Sequence, residues 1–424
     1  MTTTPHATRP DPRPPEVPAS ELPRGLFRRT FGGLPGQFWF QWVGTLVNRL
    51  GMFVQPFLVL YLTDARGLSA QQAGLLVAVW GSGALVGPLL GGWLADRVGR
   101  RATMTGAMLA SAASLAALGA AQTVPTIAVA ALFAGITADL YRPAASALVA
   151  DVVRPEDRAR AFGLLFWAIN LGFAIAATAG GYLADAGYGL LFALDAASCA
   201  IFGALIWFGV RHETRPARTA QSSQVGYRTA LRDRVLVAML GITLLYSTLY
   251  DQAYVTLPLA IRDAGLPTSA YGSVIALNGI VIVALQPFAG AWLGRFKSAN
   301  VLAVSALTMG VGFAATGLAD NRLGFGVTVV IWTLGEIGTA GLTFAIAAEL
   351  APPEARGRYQ GLFTLSWASS ALIGPVVGTS LYGGVAPEAL WFACLAVGIL
   401  VAIGHLALGR LIRRRAAELA ARAV

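Results

Sequence analysis

The sequence predicts an all-α membrane protein in which twelve transmembrane helices form two pseudo-symmetric six-helix bundles. Three observations carry that expectation. Of 424 residues, 56% are hydrophobic, only 12% are charged and 49 are Gly, and the mean hydropathy is +0.64, too apolar for a soluble chain of this size. The apolar residues run in stretches of about 20 or more, the length a helix needs to cross ~30 Å of hydrocarbon, without the alternation of an outer-membrane barrel. Two sequence segments also recur about 200 residues apart, as expected of a duplicated half.

The chain begins with a Pro-rich, charged stretch lacking an apolar run, expected over residues 1–36 as a disordered cytoplasmic tail and not a cleavable signal peptide. Span one, 37–62, sets Gln41, Thr45, Asn48, Met52 and Gln55 at spacings of three and four. This polar stripe, with Arg49 beside it, reads as a cavity-lining face or as a hydrogen-bonding seam between helices. Span two, 71–95, runs into a charged loop, Gly91 to Arg101, before span three at 102–121. Within the loop, Gly91 and Gly92 allow two helix ends to approach closely, and Asp96 can sit at the N-terminus of a partner helix. Arg97, Arg100 and Arg101 offer guanidinium forks, with Asp151 at the end of span four as the natural acidic partner.

Span four, 124–150, places Asp139 and Arg142 three residues apart, where they can pair and lower each other's desolvation cost. Span five, 161–184, carries Trp167 and Asn170 as cavity candidates. Span six, 188–210, carries Asp195 toward its outer end, where an interfacial or helix-capping role is expected. These six spans make an N-terminal bundle, 37–210.

Residues 211–234 hold six Arg among Ser, Thr and Gln and read as a cytoplasmic linker and domain boundary. The second bundle, 235–410, has spans at 235–260, 269–294, 299–319, 323–350, 358–383 and 387–410, followed by a basic cytoplasmic tail over 411–424. Span seven presents Thr243, Tyr246, Ser247, Tyr250, Asp251 and Tyr254, an aromatic and acidic face suited to a cationic or amphipathic ligand. Span eight contributes Asn278 with Gln286. Glu336 in span ten has no Lys or Arg in its own span; it is a candidate proton carrier, or else a neutral, hydrogen-bonded structural residue.

An even number of spans puts both chain ends on one side. Of the 31 Lys and Arg, three (Arg66, Arg262, Arg322) fall on the opposite side, two (Arg49, Arg142) fall within spans, and the other 26 share the side of the chain ends. The positive-inside rule makes that side cytoplasmic, in a cytoplasmic (inner) cell membrane. The net charge of +10 is therefore the lining of one membrane face and not a nucleic-acid surface. Charges at mid-bilayer cost about 2.5–3.5 kcal/mol each on insertion scales and mark a pathway or a water-filled cavity. Arg49, Asp139, Arg142, Asp195, Asp251 and Glu336 qualify, and Glu336, Asp251 and Asp139 are the candidates for proton coupling.

The internal repeat sets Pro88, Gly91, Trp93 and Leu94 against Pro287, Gly290, Trp292 and Leu293, and Pro155, Glu156, Arg158, Arg160 and Gly163 against Pro353, Glu354, Arg356, Arg358 and Gly361. Arg295 stands where the first copy has Asp96, so a latch in the second copy carries a different charge pattern, such as Arg295 with Glu349.

Six plus six spans, with Gly91, Asp96, Arg97, Gly99, Arg100 and Arg101 between the second and third, resemble the major facilitator superfamily over about residues 37–410. The resemblance implies alternating access about a midplane cavity, lined by spans one, four, seven and ten, and a latch on the outward-open state formed by Asp96, Arg100 and Asp151. Two kinds of member are similar. Twelve-span drug:proton antiporters share the loop, Asp151 and Glu336, but their Gly-Pro signature in span five is absent here, and Gly374, Pro375 and Gly378 appear in span eleven instead. Proton-coupled peptide symporters share Phe166, Trp167, Asn170 and Gly172 with Gly335 and Glu336, but their acid-rich signature in span one is reduced to Thr45, Asn48 and Arg49. Export of multidrug or small amphipathic cargo by antiport is the first reading; symport of peptides or other small metabolites is the second.

An enzyme is not expected. No phosphate-binding Gly loop with a Lys and no His/Cys metal spacing occurs, so no cofactor or metal is expected beyond a proton gradient. Cys199 and Cys394 read as small hydrophobes. The expected partners are a small-molecule substrate, protons and the lipid bilayer, with the chain acting as a monomer.

Overall fold

The structure, a computed structural model, describes residues 32–154, 157–211, 230–339, 342–343, 346, 350 and 356–421. They fold into helices, with no strand among the described residues. In chain order these are α1 (Gly36–Ala65), α2 (Ala70–Val98), α3 (Arg100–Ala120) and α4 (Val124–Val152), then α5 (Arg158–Ala186) and α6 (Tyr188–Gly209). The second half contains α7 (Arg234–Asp263), α8 (Thr268–Leu293), α9 (Ser298–Thr316), α10 (Arg322–Thr339), α11 (Arg356–Gly384) and α12 (Pro387–Ala421).

Eleven of these contain segments long and apolar enough to cross a membrane. For α10 the described helix has 18 residues, and much of the remaining predicted span, 340–350, lies outside the described residues. So do residues 1–31 and 212–229, on which the expected tail and linker fall. Helix α12 continues to Ala421, so most of the stretch expected as a basic tail is helical.

Three spans are interrupted inside the membrane: α1 at Gly51 to Phe53, α4 at Asp139 to Tyr141, and α7 at Asp251 and Thr256. A proline lacks the N–H that would bond four residues back, and its ring crowds that residue's carbonyl. Pro56 points this defect at Met52 and Pro143 at Asp139, within the breaks of α1 and α4. Pro258 sits in the first turn of the last α7 segment, where a proline is tolerated. Pro88 and Pro375 lie inside helices that continue through them.

The two halves repeat the same helix pairings. In the first, α1 packs on α5 and α6, α3 on α4 and α6, and α2 on α4. In the second, α7 packs on α11 and α12, α9 on α10 and α12, and α8 on α10. Between the halves run two long seams, α2 against α11 and α5 against α8. Gly272 of α8 lies so close to α5 that a Cβ there would strike the Ala177 carbonyl and the Gly181 backbone.

The apolar core places the opening. One cluster joins both halves toward the distal face, opposite the one where α1 begins and α12 ends, and includes Phe57, Leu118, Leu257, Tyr271 and Trp391. Toward the basic face it divides. The cluster around Leu236, Leu302 and Phe363 belongs to the second half alone, and those around Met104 and Phe202 and around Phe38 and Leu164 belong to the first. Among the described residues, the apolar core is thus shared by the two halves distally and divided between them toward the basic face.

Candidate functional site

At about mid-depth lies a cavity of about 620 Å³, its lining running from Leu115 and Asp195 on the distal side to Pro143 and Ser146 on the basic side. The break in α1 turns Asn48, Arg49, Met52 and Gln55 into it, the break in α4 supplies Asp139 and Arg142, and Trp80 of α2 and Trp367 of α11 face them. Nonhelical backbone at membrane depth is tolerated only where it is buried in protein or lines such a cavity, so the breaks and the cavity are one feature. The polar stripe of span one divides between its two expected roles: Gln41 Nε2 donates to the Ala145 carbonyl at 3.0 Å, a seam with α4, while Asn48 to Gln55 line the cavity.

Arg49 is only 6% exposed. Its Nη2 donates to the Tyr141 hydroxyl at 3.1 Å, its Nη1 meets the Met52 sulfur, and its Nε has no partner. Asp139 is instead paired, with Arg142 Nε 2.7 Å from its Oδ1. The indole N–H of Trp367 is also unpartnered. The cavity therefore combines donors, an internal ion pair and apolar walls.

Of the expected lining by spans one, four, seven and ten, the described residues supply that from the first two. Trp367 stands between the cavity and α7, its ring 6.0 Å from Tyr246 and 6.1 Å from Tyr250. Behind it, Tyr250 and Tyr254 share a hydrogen bond of 3.1 Å, and Tyr246 meets Thr339 at 2.6 Å. Asn278 Nδ2 donates to Glu336 Oε2 at 2.6 Å and to the Thr333 hydroxyl at 3.1 Å. No basic side chain pairs with Glu336 among the described residues.

Asp251 departs from the expected aromatic face. It ends the first α7 segment and packs against Gly374 of α11, with its Oδ2 unpartnered. Trp167 and Asn170 also lie off the cavity wall: Trp167 stacks on Trp42 at 6.3 Å and 13°, and Asn170 Nδ2 donates to the Phe166 carbonyl of its own helix.

In the charged loop, Gly99 has φ +89° and makes the turn from α2 into α3 that a side chain would strain. Gly91 permits the expected close approach, since a Cβ there would strike the Leu140 carbonyl of α4; Gly92 makes none. Arg100 Nε lies 3.1 Å from Asp151 Oδ2, as expected, and Arg100 Nη1 lies 3.9 Å from Asp96 Oδ1. Asp96 is 82% exposed in its side chain and accepts no bond from a helix N-terminus among the described residues. Arg97 and Arg101 lie over the Trp93 and Trp207 rings, each at 4.2 Å, where the negative face of an indole attracts a guanidinium.

The family sequence model described as Major Facilitator Superfamily matches residues 41–375. The chain belongs to the major facilitator superfamily. It is a multi-pass membrane transporter, and the residues at the α1 and α4 breaks belong to a transporter's cavity. An uncharacterized MFS-type transporter of Bacillus subtilis, YqjV, is 26% identical over 348 residues, 79% of this chain and 84% of that one. Multidrug resistance protein MdtH of Aeromonas salmonicida is 27% identical over 349 residues, 81% and 87% of the two chains. Among solved structures, the nucleoside transporter NupG superposes with a TM-score of 0.75 at 13% identity, covering 88% of this chain and 100% of that one. The POT family transporter PepTSo does so with 0.75 at 16% identity, covering 90% and 99%. At such identities the structures share the fold alone.

Sequence reasoning missed how this transporter is closed distally. Arg262 of α7 lies 3.3 Å from Asp64 of α1 and 2.7 Å from Asp263. Tyr188 donates to Asp64 at 3.2 Å and Tyr382 to Asp263 at 2.9 Å. Cys199 and Trp367 were likewise not singled out as cavity residues, and Asp195, counted among the membrane charges, was read as interfacial or capping but also lines the cavity. The signal for the α1 break was Pro56, and for the α4 break Pro143.

Proposed function

We propose that this transporter is a proton-coupled antiporter of the cytoplasmic membrane that exports small amphipathic molecules by alternating access. The supporting observation is the cavity at the breaks of α1 and α4, between halves whose described residues share an apolar core toward the distal face. In this reading the basic face is cytoplasmic, and the bundles 37–210 and 235–410 rock about the cavity while residues 211–234 link them. The chain works as a monomer with no cofactor beyond the proton gradient. The opening at the basic face is then the inward-facing state, from which cargo is collected. The resemblance to proteins named for multidrug resistance supports export. Glu336, bonded to Asn278 and without a basic partner among the described residues, is the proton carrier on the second-half side. Proton and cargo drive the cycle because they favour different states.

Uptake by symport is the second reading, favoured by the unpaired Arg49 beside the cavity, which suits a carboxylate-bearing metabolite. One experiment separates the two. Purified protein in proteoliposomes is given a panel of lipophilic dyes and small peptides under imposed pH gradients. An acidic interior drives uptake by antiport, and an acidic exterior drives uptake by symport. If neither gradient moves any compound, proton coupling is rejected.

A further inference from the structure

We propose that Asp195 of α6 is a second proton site of the transport cycle, placed to connect the cavity to the distal closure through the broken helix α1. The inference rests on the proton-coupled reading above.

Asp195 is 5% exposed, yet it lies on the cavity wall beside Asn48, Arg49 and Cys199. Its Oδ2 accepts the Val54 amide of α1 at 3.1 Å. Val54 is the first residue of the α1 segment beyond the break, where an amide has no partner four residues back and a missing bond at membrane depth costs several kcal/mol. The glycine of the break allows this close approach: a Cβ on Gly51 would strike Ser198 of α6.

The groups facing this carboxylate are few. Its own helix brings Cys199, whose Sγ lies 3.9 Å from Asp195 Oδ1 and accepts the Asn48 amide at 3.2 Å. From α1 comes Arg49, on the same cavity wall but forming no ion pair with it. From α3 comes Ser111, against Cys199; the ionisable residues of α3 and α5 lie near their ends. From α4 come Tyr141, held by Arg49, and the Asp139–Arg142 pair on the cavity wall. Among the described residues, Asp195 is thus a buried acid without a salt bridge, next to Arg49, a buried base that also makes none.

What the carboxylate holds makes this more than a cap. The α1 segment it anchors carries Phe57, edge-on to Tyr271 of α8 at 5.3 Å, and leads on to Asp64, paired with Arg262 of α7. Both contacts cross to the other half on the distal side. A charged acceptor holds an amide roughly twice as strongly as a neutral one. Taking a proton from the cavity therefore loosens the hold of α6 on this segment, and with it the distal closure. The proton binds at an oxygen of Asp195 and leaves by the same group, with no other bond made or broken.

The test uses spin labels at Val98→Cys and Phe296→Cys, exposed positions near the basic ends of α2 and α8, with the buried native cysteines in place. Distances between them are measured in reconstituted protein across a pH series, without substrate. The wild type is expected to move between two distance populations. Asp195→Asn, which keeps an acceptor for Val54 but cannot titrate, is expected to lose at least half of that response, and Asp195→Glu to restore it with a displaced midpoint. A full response in Asp195→Asn overturns the inference and leaves Asp195 as a cap. A wild type that does not respond overturns the proton-coupled reading and this inference together. Should Asp195→Asn fail to fold, Asp195→Glu decides: an unmoved midpoint overturns the proposal.

Discussion

Arg262 of α7 reaches across the two halves to Asp64 of α1, 3.3 Å apart, while its other nitrogen holds Asp263 at 2.7 Å. The two cross-half partners are 34% and 31% exposed in their side chains. A pair that wet is worth at most about 1 kcal/mol, weak enough to open in each cycle. Asp64→Asn should therefore raise the distally open population by no more than about fivefold. Accessibility of a cysteine placed near Tyr188 measures the change. No increase would mean that the Arg262–Asp64 pair does not help keep the distal side closed, leaving the apolar contacts and the Ser269 amide–Asp185 bond to hold it.

Glu336 is held by Asn278 and pairs with no basic side chain among the described residues, so Glu336→Gln preserves a hydrogen-bond acceptor and removes the titration. Normal expression with loss of gradient-driven transport is expected in proteoliposomes. Full coupling in the variant would remove Glu336 from the mechanism.

Asp96 is exposed in this arrangement, while Arg100 is held by Asp151. If Asp96 engages only when the basic face closes, Asp96→Asn should slow transport and leave the order of preference among substrates unchanged. Initial rates across a substrate panel read both. A changed preference at an unchanged rate would exclude a gating role.

Trp367 forms the wall between the cavity and the tyrosines of α7. Replacing it with Ala should weaken binding of an aromatic cation such as ethidium by between about twofold and thirtyfold, the range of a cation–π contact. Equilibrium dye binding to purified protein measures this, and unchanged affinity would place the ligand away from α11.

Most helix positions could be read from the sequence because a membrane span is a length requirement, and the starts of α1, α4 and α12 fall within a residue of those expected. Which face each helix shows could not. Tyr250 and Glu336 sit on polar stripes as read, yet Trp367 of a different helix intervenes between Tyr250 and the cavity. Asp195 was read as a cap from its place near a helix end. It is one, but for the interior break of α1, which becomes visible only once Pro56 is seen to interrupt that helix.

The central claim, that substrate movement is tied to proton movement through these carboxylates, is tested most directly by recording both fluxes together in vesicles of purified protein. Substrate entering at zero imposed gradient should drive protons outward, and Glu336→Gln should abolish that proton flux. Substrate crossing with no accompanying proton movement in the wild type would contradict the account.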